Sequence, residues 1–203
     1  MTVTAAACSS TEPGNAAAEP TSSAAATTAA DATDTSATSS ADTSSADTGP
    51  AGDAGLTPPG TTLKVGERAV VPFEGYSASG TVAITVTAVE QGDQAAFDAQ
   101  YGERGAGVVP YYIRYTLENV DGADLADTLP PRLSAITSEG RTTGVVLTGD
   151  LPDCENSRTP EDFTTPGASY EVCQLQGGRE GADISGARFN EDDYRSDPVV
   201  WTS

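Results

Sequence analysis

Cysteine is the residue type in this sequence with the clearest chemistry. Of the three cysteines, Cys8 lies near the N-terminus, whereas Cys154 and Cys173 lie in the last quarter of the chain. If Cys8 carries a separate modification, the other two can form a disulfide and no thiol is left over. Eighteen residues lie between Cys154 and Cys173, far from the CxxC spacing of redox pairs, so we expect a structural bond. A disulfide would indicate an oxidising, extracytoplasmic compartment.

Two acidic segments offer oxygen ligands for a hard cation such as Ca²⁺. Residues 119–124 place side-chain oxygens at alternate positions, and residues 191–193 are three adjacent carboxylates. The first segment lacks the Glu that ends an EF-hand loop, and Asn-x-Asp-Gly is equally typical of a hairpin turn. We therefore expect solvated acidic loops and no bound metal. The weak Ca²⁺ candidates are Asn119, Asp121, Asp124, Asp192 and Asp193.

Catalytic constellations are scarce. Without histidine in the sequence, Ser-His-Asp and Cys-His arrangements cannot be assembled. Lys64 is the only lysine, and the simplest interpretation is a solvated amine at the start of a strand. Glycoside hydrolysis would need one carboxyl with a pKa raised by burial, whereas Glu191 lies in a polar run that should stay ionised. We expect no catalytic residue, no cofactor and no enzymatic activity.

Charge restricts the classes of partner. The 203-residue chain has a formal net charge of −20. Residues 1–60 contain seven carboxylates and no basic residue, and the other 23 carboxylates follow together with all 10 basic residues. A surface of this kind repels nucleic acid and anionic lipid headgroups. Nucleic acid is therefore excluded as a partner.

Alternating side chains predict two long strands in the second part of the chain. In residues 81–87, Val82, Ile84 and Val86 share one face, which is typical of a strand with one buried side. Residues 111–118 repeat the pattern. That register places Tyr111, Ile113, Tyr115 and Leu117 in the core and leaves Tyr112, Arg114 and Glu118 outside.

Shorter segments complete an all-β prediction. Further strands are expected at residues 69–73, 133–137, 144–147, 170–175 and 199–202, and a short helix at 93–100. Asp93 is the predicted N-cap of that helix, and Pro72 indicates that the first of these strands lies at a sheet edge. Trp201 is expected to pack across the final strand. Short strands separated by Gly, Pro and Asp turns predict an antiparallel β-sandwich.

The first part of the chain has a different composition. Residues 9–60 contain 19 Ser or Thr residues and a single large apolar side chain, Leu56. Such a segment buries too little apolar surface to offset the entropy of ordering, so a disordered tether is expected. The tether is either O-glycosylated or an unmodified spacer. The predicted organisation is a signal remnant at 1–8, a linker at 9–60 and one domain at 61–203.

Ala5-Ala6-Ala7-Cys8 resembles the lipobox of bacterial lipoproteins, in which small residues precede an acylated cysteine. The family usually has Leu where this chain has Ala5, and only seven residues precede Cys8, too few for an apolar signal region. We expect a shortened copy of a longer precursor. The resemblance, together with the Ser/Thr-rich spacer, implies an actinobacterial lipoprotein with Cys8 as the lipidated residue.

The C-terminal part resembles the immunoglobulin-like extracellular domain of secreted actinobacterial lipoproteins. The resemblance rests on four segments: residues 82–86, 112–119, 167–173 and 198–201. It covers residues 61–203 and implies a cell-surface or secreted protein with a sandwich fold and no established catalysis. The family has no assigned activity.

These observations favour a binding module over other functions. The expected protein is a non-enzymatic lipoprotein, anchored to the outer face of the cell membrane by lipid alone, whose domain binds a protein or a cell-envelope component. The alternative is a structural or spacer module of the envelope without a ligand of its own. A single contiguous apolar or aromatic patch of several hundred Å² on the folded domain would favour binding over spacing, and its absence would favour the structural role.

Overall fold

The computed structural model describes residues 55–203, which form eight strands, one α-helix and two 3₁₀ turns. This part of the chain is mostly β, as the alternating pattern predicts. The strands are β1 Thr62–Lys64, β2 Arg68–Glu74, β3 Ser79–Gln91, β4 Val108–Asn119, β5 Leu133–Thr137, β6 Ser169–Arg179, β7 Ile184–Phe189 and β8 Val199–Thr202; the helix α1 is Gln94–Tyr101 and the 3₁₀ turns are Gly102–Gly105 and Asp192–Tyr194.

The strands form two four-stranded sheets in a sandwich-like arrangement. One sheet has the order β1-β8-β7-β5 and the other β2-β3-β4-β6. All pairings are antiparallel except that of β1 with β8. The prediction that residues 69–73 form an edge strand is confirmed, because β2 pairs only with β3. Proline lacks a backbone N–H, and an edge strand tolerates Pro72 because it has only one neighbouring strand to bond.

Apolar side chains from both sheets meet between them. Val82, Ile84 and Val86 of β3 are fully buried, which confirms the predicted face. Trp201 of β8 is also fully buried, and its Nε1–H donates to the carbonyl of Glu67 at 2.9 Å. Its single polar atom is thus satisfied inside the core, as a buried indole requires.

A second apolar cluster lies on the other face of the β4–β6 pair. Because of it, the burial predicted for Tyr111 and Tyr112 was wrong. Tyr112 is only 4% exposed, against the prediction that it faces water. It packs with Phe97 of α1 and with Leu175 of β6. Tyr111, predicted to be in the core, is only half-buried. The prediction was wrong because helix α1 covers a face that sequence alternation alone assigns to solvent.

The helix begins as predicted. The Asp93 carboxylate accepts hydrogen bonds from the N–H groups of Ala95 and Ala96 at 2.8 and 3.1 Å, which satisfies two of the unpaired donors at the helix start. Phe97, one turn later, is fully buried in the second cluster. The cap therefore fixes the residue that covers Tyr112.

A disulfide joins Cys154 to Cys173, with 5.1 Å between their Cα atoms. Cys173 lies in β6, and Cys154 follows a tight turn closed by mutual backbone hydrogen bonds with Leu151. Both cysteines belong to the second cluster. The bond therefore holds the loop around residues 151–154 against the outer face of the sheet.

The structure differs from the sequence prediction in three other respects: one predicted strand is absent, one strand was not predicted, and the folded part begins earlier. Residues 144–147 form no strand, since Val145 makes only an isolated bridge to Gly177. Strand β7 was not predicted. The folded part also begins before residue 61, because the N–H of Thr57 donates to the carbonyl of Val70 at 2.8 Å, so the predicted linker range overlaps residues that contact the domain.

Cys8, the predicted lipidation site, and residues 9–54 of the predicted tether lie outside the described residues. Between residues 55 and 203, none of the helices is long and apolar enough to span a membrane.

Candidate functional site

The candidate site lies at the open side of the sandwich, between β5 and β6. Each is an edge strand of its own sheet. Residues 141–148, which we call the strap, cross from one edge to the other. Thr142 forms an isolated bridge to Ile136 of β5, and Val145 forms one to Gly177 of β6.

Two glycines explain how the strap is seated. Gly144 has a φ of +68°, a left-handed conformation that side chains disfavour, and it turns the chain between the two bridges. A Cβ on Gly177 would overlap the Val145 side chain. The absence of a side chain at residue 177 thus allows the strap to approach β6 closely.

A groove opens between the strap and β5. Its main compartment has a volume of about 490 Å³, and a second compartment of about 220 Å³ continues from it. Arg132, Leu147 and Gln176 line both compartments, so the two adjoin, and we refer to them together as the groove. Its other lining includes Ser134, Thr142, Val145, Asn156, Asn190 and Glu191.

Two glutamines of β6 form a polar floor under the groove. The Gln174 Oε1 accepts from the N–H of Leu133 at 2.8 Å, and the Gln176 Oε1 accepts from the N–H of Ala135 at 3.5 Å. These donors belong to β5, which has a strand partner on one side only. The side-chain amides therefore satisfy edge donors that would otherwise lack partners.

Gln174 also ties this floor to the core. Its amide nitrogen donates to the hydroxyl of Tyr115 at 2.9 Å and to the carbonyl of Pro131 at 2.8 Å. The Tyr115 hydroxyl in turn donates to the same carbonyl at 2.7 Å. Burial is the main cause that raises the pKa of Tyr115 well above its ordinary value, so the hydroxyl remains a donor. A buried network satisfied in this way rigidifies its surroundings.

Electrostatics at the groove come from Arg132 and Glu191. The Glu191 Oε1 accepts from the backbone N–H of Arg132 at 3.3 Å. Burial, the largest effect, raises the pKa of the Glu191 carboxyl above its ordinary value, against the sequence expectation of a solvated side chain. The Arg132 side chain is exposed and forms no ion pair with any residue from 55 to 203.

The first group of Ca²⁺ candidates forms a turn. The fully buried Asn119 donates to the carbonyls of Ala123 and Phe163 and accepts from the N–H of Gly122. Asp121 accepts from the N–H groups of Thr81 and Ala123 at 2.7 and 3.0 Å. These bonds are those of an Asx-stabilised turn. The oxygens considered as ligands are engaged with the backbone of the domain itself.

The remaining candidates do not converge either. Asp124 accepts from the N–H of Ala126 at 3.3 Å. Asp192 and Asp193 are exposed in the 3₁₀ turn that ends at the buried Tyr194. Within residues 55–203 no group of three or more His, Cys, Asp or Glu side chains is placed to hold a metal ion. Lys64 is exposed in β1.

Sequence reasoning missed the residues that build the groove, namely Arg132, Gln174 and Gln176. A signal was present in β6, where Val172, Gln174 and Gln176 occupy alternate positions on the inward face. Glutamine on the buried face of a strand needs partners, so it indicates a neighbouring backbone with free donors. The identity of that backbone, β5, follows only from the tertiary arrangement.

No protein-family model, curated protein or solved structure matches the chain.

Proposed function

We propose that this protein is a non-enzymatic binding module whose groove between β5 and the strap takes up a protein segment or cell-envelope component. The observation that carries the proposal is a groove with a floor of hydrogen-bonded amides and with Arg132, which forms no ion pair within residues 55–203, among its lining residues. Concave sites with a few fixed polar groups are the usual form of ligand sites.

Binding is favoured over catalysis because both carboxyl groups of the groove hold backbone N–H groups, although burial raises the pKa of Glu191 in the direction that general-acid catalysis also requires. Glu191 accepts from the backbone N–H of Arg132, and Asp150 accepts from the N–H of Asn156 at 2.9 Å. Each carboxylate therefore has a structural task. The sequence contains no histidine to act as a general base beside them.

We also propose a location on the outer face of the cell membrane, with Cys8 acylated. Support comes from the lipobox-like residues 5–8 and from the disulfide, which is consistent with an oxidising compartment. The mass of the mature protein from its natural host should exceed that of the polypeptide beginning at Cys8 by a diacylglycerol group. An unmodified N-terminal peptide would contradict lipidation.

The finer fold type is proposed as immunoglobulin-like. In that fold, strands C, F and G form one sheet, and strands B and E lie in the other. Here β5, β7 and β8 pair in one sheet and β4 pairs with β6 in the other, so the chain crosses between sheets at the corresponding points. The disulfide differs, because it joins a loop to β6 instead of joining the two sheets.

Affinity capture from the host envelope tests the binding function. Immobilised full-length protein is compared with Ser134→Trp, which enlarges a residue that lines the groove, and with Ser169→Trp, a matched change at an exposed position outside the groove. We expect a component retained by the unmodified protein and by Ser169→Trp but lost with Ser134→Trp.

Two outcomes would contradict the proposal. Equal retention by all three proteins would remove the groove as the binding site. No retained component in any of them would favour the alternative, a structural or spacer module of the envelope without its own ligand.

A further inference from the structure

The lining of the groove is polar and aliphatic. Hydroxyls from Ser134 and Thr142 and amides from Gln176 and Asn190 lie near the aliphatic Val145, and no aromatic side chain lines either compartment. Recognition of nucleobases relies on flat aromatic faces against which rings stack. Amides and hydroxyls instead match the N–H and C=O groups of a polypeptide backbone.

The strap supplies a second set of partners for a polypeptide. The N–H groups of Val146, Leu147 and Thr148 donate to no residue between 55 and 203, and Val146 is 85% exposed. A segment with free backbone donors next to a groove can pair with an added extended strand. The opposite wall differs, because side-chain amides already occupy the N–H groups of Leu133 and Ala135 in β5. An added strand therefore has the strap as its pairing partner.

Arg132 is the cationic residue among the lining of the groove, which also includes the carboxylates of Glu191 and Asp150. Arg132 lines both compartments, and its charge opposes the burial effect that raises the pKa of the Glu191 carboxyl. It has no ion-pair partner among the described residues, whereas four other arginines do. A planar guanidinium pairs with a carboxylate through two parallel hydrogen bonds.

We propose that the groove binds an extended peptide segment that pairs with the strap and places one acidic side chain on Arg132. This inference rests on the proposed binding function and specifies its ligand class. The net charge of −20 repels acidic ligands at long range. Recognition of the carboxylate must therefore depend on the short-range contact with Arg132.

Nuclear magnetic resonance titration of the ¹⁵N-labelled full-length chain tests this inference. The probes are acetyl-Thr-Val-Glu-Val-Thr-amide and its Gln analogue, which differ only in the central carboxylate. The variants are Arg132→Gln and the matched Arg104→Gln, whose arginine is exposed and outside the groove. We expect the Glu peptide to shift the amide resonances of residues 142–148 and to bind about tenfold or more tightly than the Gln peptide.

The variants complete the expected pattern. Arg132→Gln should remove the preference for the Glu peptide, and Arg104→Gln should retain it. Equal affinity for the two peptides, shifts confined to other residues, or no binding of either peptide would overturn the inference. Binding of tetragalacturonate but not of the peptides would also overturn it in favour of an acidic sugar chain. If one of these contradicting results is obtained but envelope capture succeeds, the proposed ligand class is wrong and the binding function stands. If envelope capture also fails, the proposed binding function is wrong as well.

Discussion

Gln174 is the residue on which the groove and the core both depend. Its amide connects β6 to Leu133 at the start of β5, to Pro131 just before that strand, and to the hydroxyl of Tyr115 within the core. A buried amide left without these partners would cost about 1–3 kcal/mol. The same three bonds that make its burial tolerable also fix the edge of β5, and with it the wall of the groove.

Glu191 gives a prediction about pH at the residue scale. Burial raises the pKa of its carboxyl in the folded protein above the ordinary 4.5 of the unfolded chain. The folded state therefore binds more protons above pH 4.5, and the free energy of unfolding falls as pH rises through this window. In Glu191→Gln, which keeps the acceptor oxygen for the N–H of Arg132, this fall should be smaller.

Urea unfolding at pH 4, 6 and 8 measures the effect. Relative to Glu191→Gln, the unmodified protein should be more stable at pH 4 than at pH 8. The matched control Glu161→Gln removes the same charge at an exposed position. If the stability difference between the protein and Glu191→Gln is the same at all three pH values, the proposed titration of Glu191 is wrong.

At the scale of whole elements, the helix and loops that pack on a sheet decide which faces of its strands are buried. The β4–β6 pair has the main core on one side and the cluster under α1 on the other. The loop that contains Cys154 lies over this second cluster, and the disulfide is its covalent attachment. Loops with polar composition cannot remain in place by burial alone, so a cross-link suits this position.

The contribution of the disulfide is a prediction about this element. Cys154 and Cys173 are 19 positions apart, and closing a loop of that length should stabilise the fold by about 3 kcal/mol. Urea unfolding of the double variant Cys154→Ala/Cys173→Ala should show this loss. Reduction of the unmodified protein should produce a similar loss.

Cys8→Ala is the matched control, because Cys8 lies outside the described domain. It should leave the unfolding free energy unchanged. Equal destabilisation by Cys8→Ala, or no effect of a reductant on the unmodified protein, would show that the bond between the other two cysteines does not stabilise the domain.

Net charge is the dominant electrostatic feature of the whole molecule. With 30 carboxylates and 10 basic residues, the chain repels itself when compact. The four ion pairs within residues 55–203 oppose this repulsion but are at least partly exposed, so each contributes little. Self-repulsion therefore outweighs these pairs in the response to salt.

Salt should accordingly stabilise the protein. Raising NaCl from about 0.01 to about 0.3 M shortens the screening length from roughly 30 Å to below 10 Å. We expect the melting temperature to increase by a few degrees, measured by circular dichroism, with KCl acting like NaCl. A decrease in melting temperature with either salt would mean that attractive pairs dominate.

Strand positions were predictable where alternation was regular and one face was buried. Val82, Ile84 and Val86 occupy the predicted face, and Leu133–Thr137 and Val199–Thr202 form strands over the predicted residues. Prediction failed where partners were distant in the sequence. Tyr112 is buried by Phe97, and residues 144–147 are drawn across two sheet edges instead of pairing as a strand.

The sequence alone determined the β class of the domain, its main buried face, the start of its helix and its net charge, because these depend on local side-chain order and composition. The tertiary structure decided the second cluster, the close seating of Val145 on Gly177 and the groove at Arg132. Each of these requires segments separated by tens of residues to meet, and the pattern within a single strand does not specify which other segment will cover it.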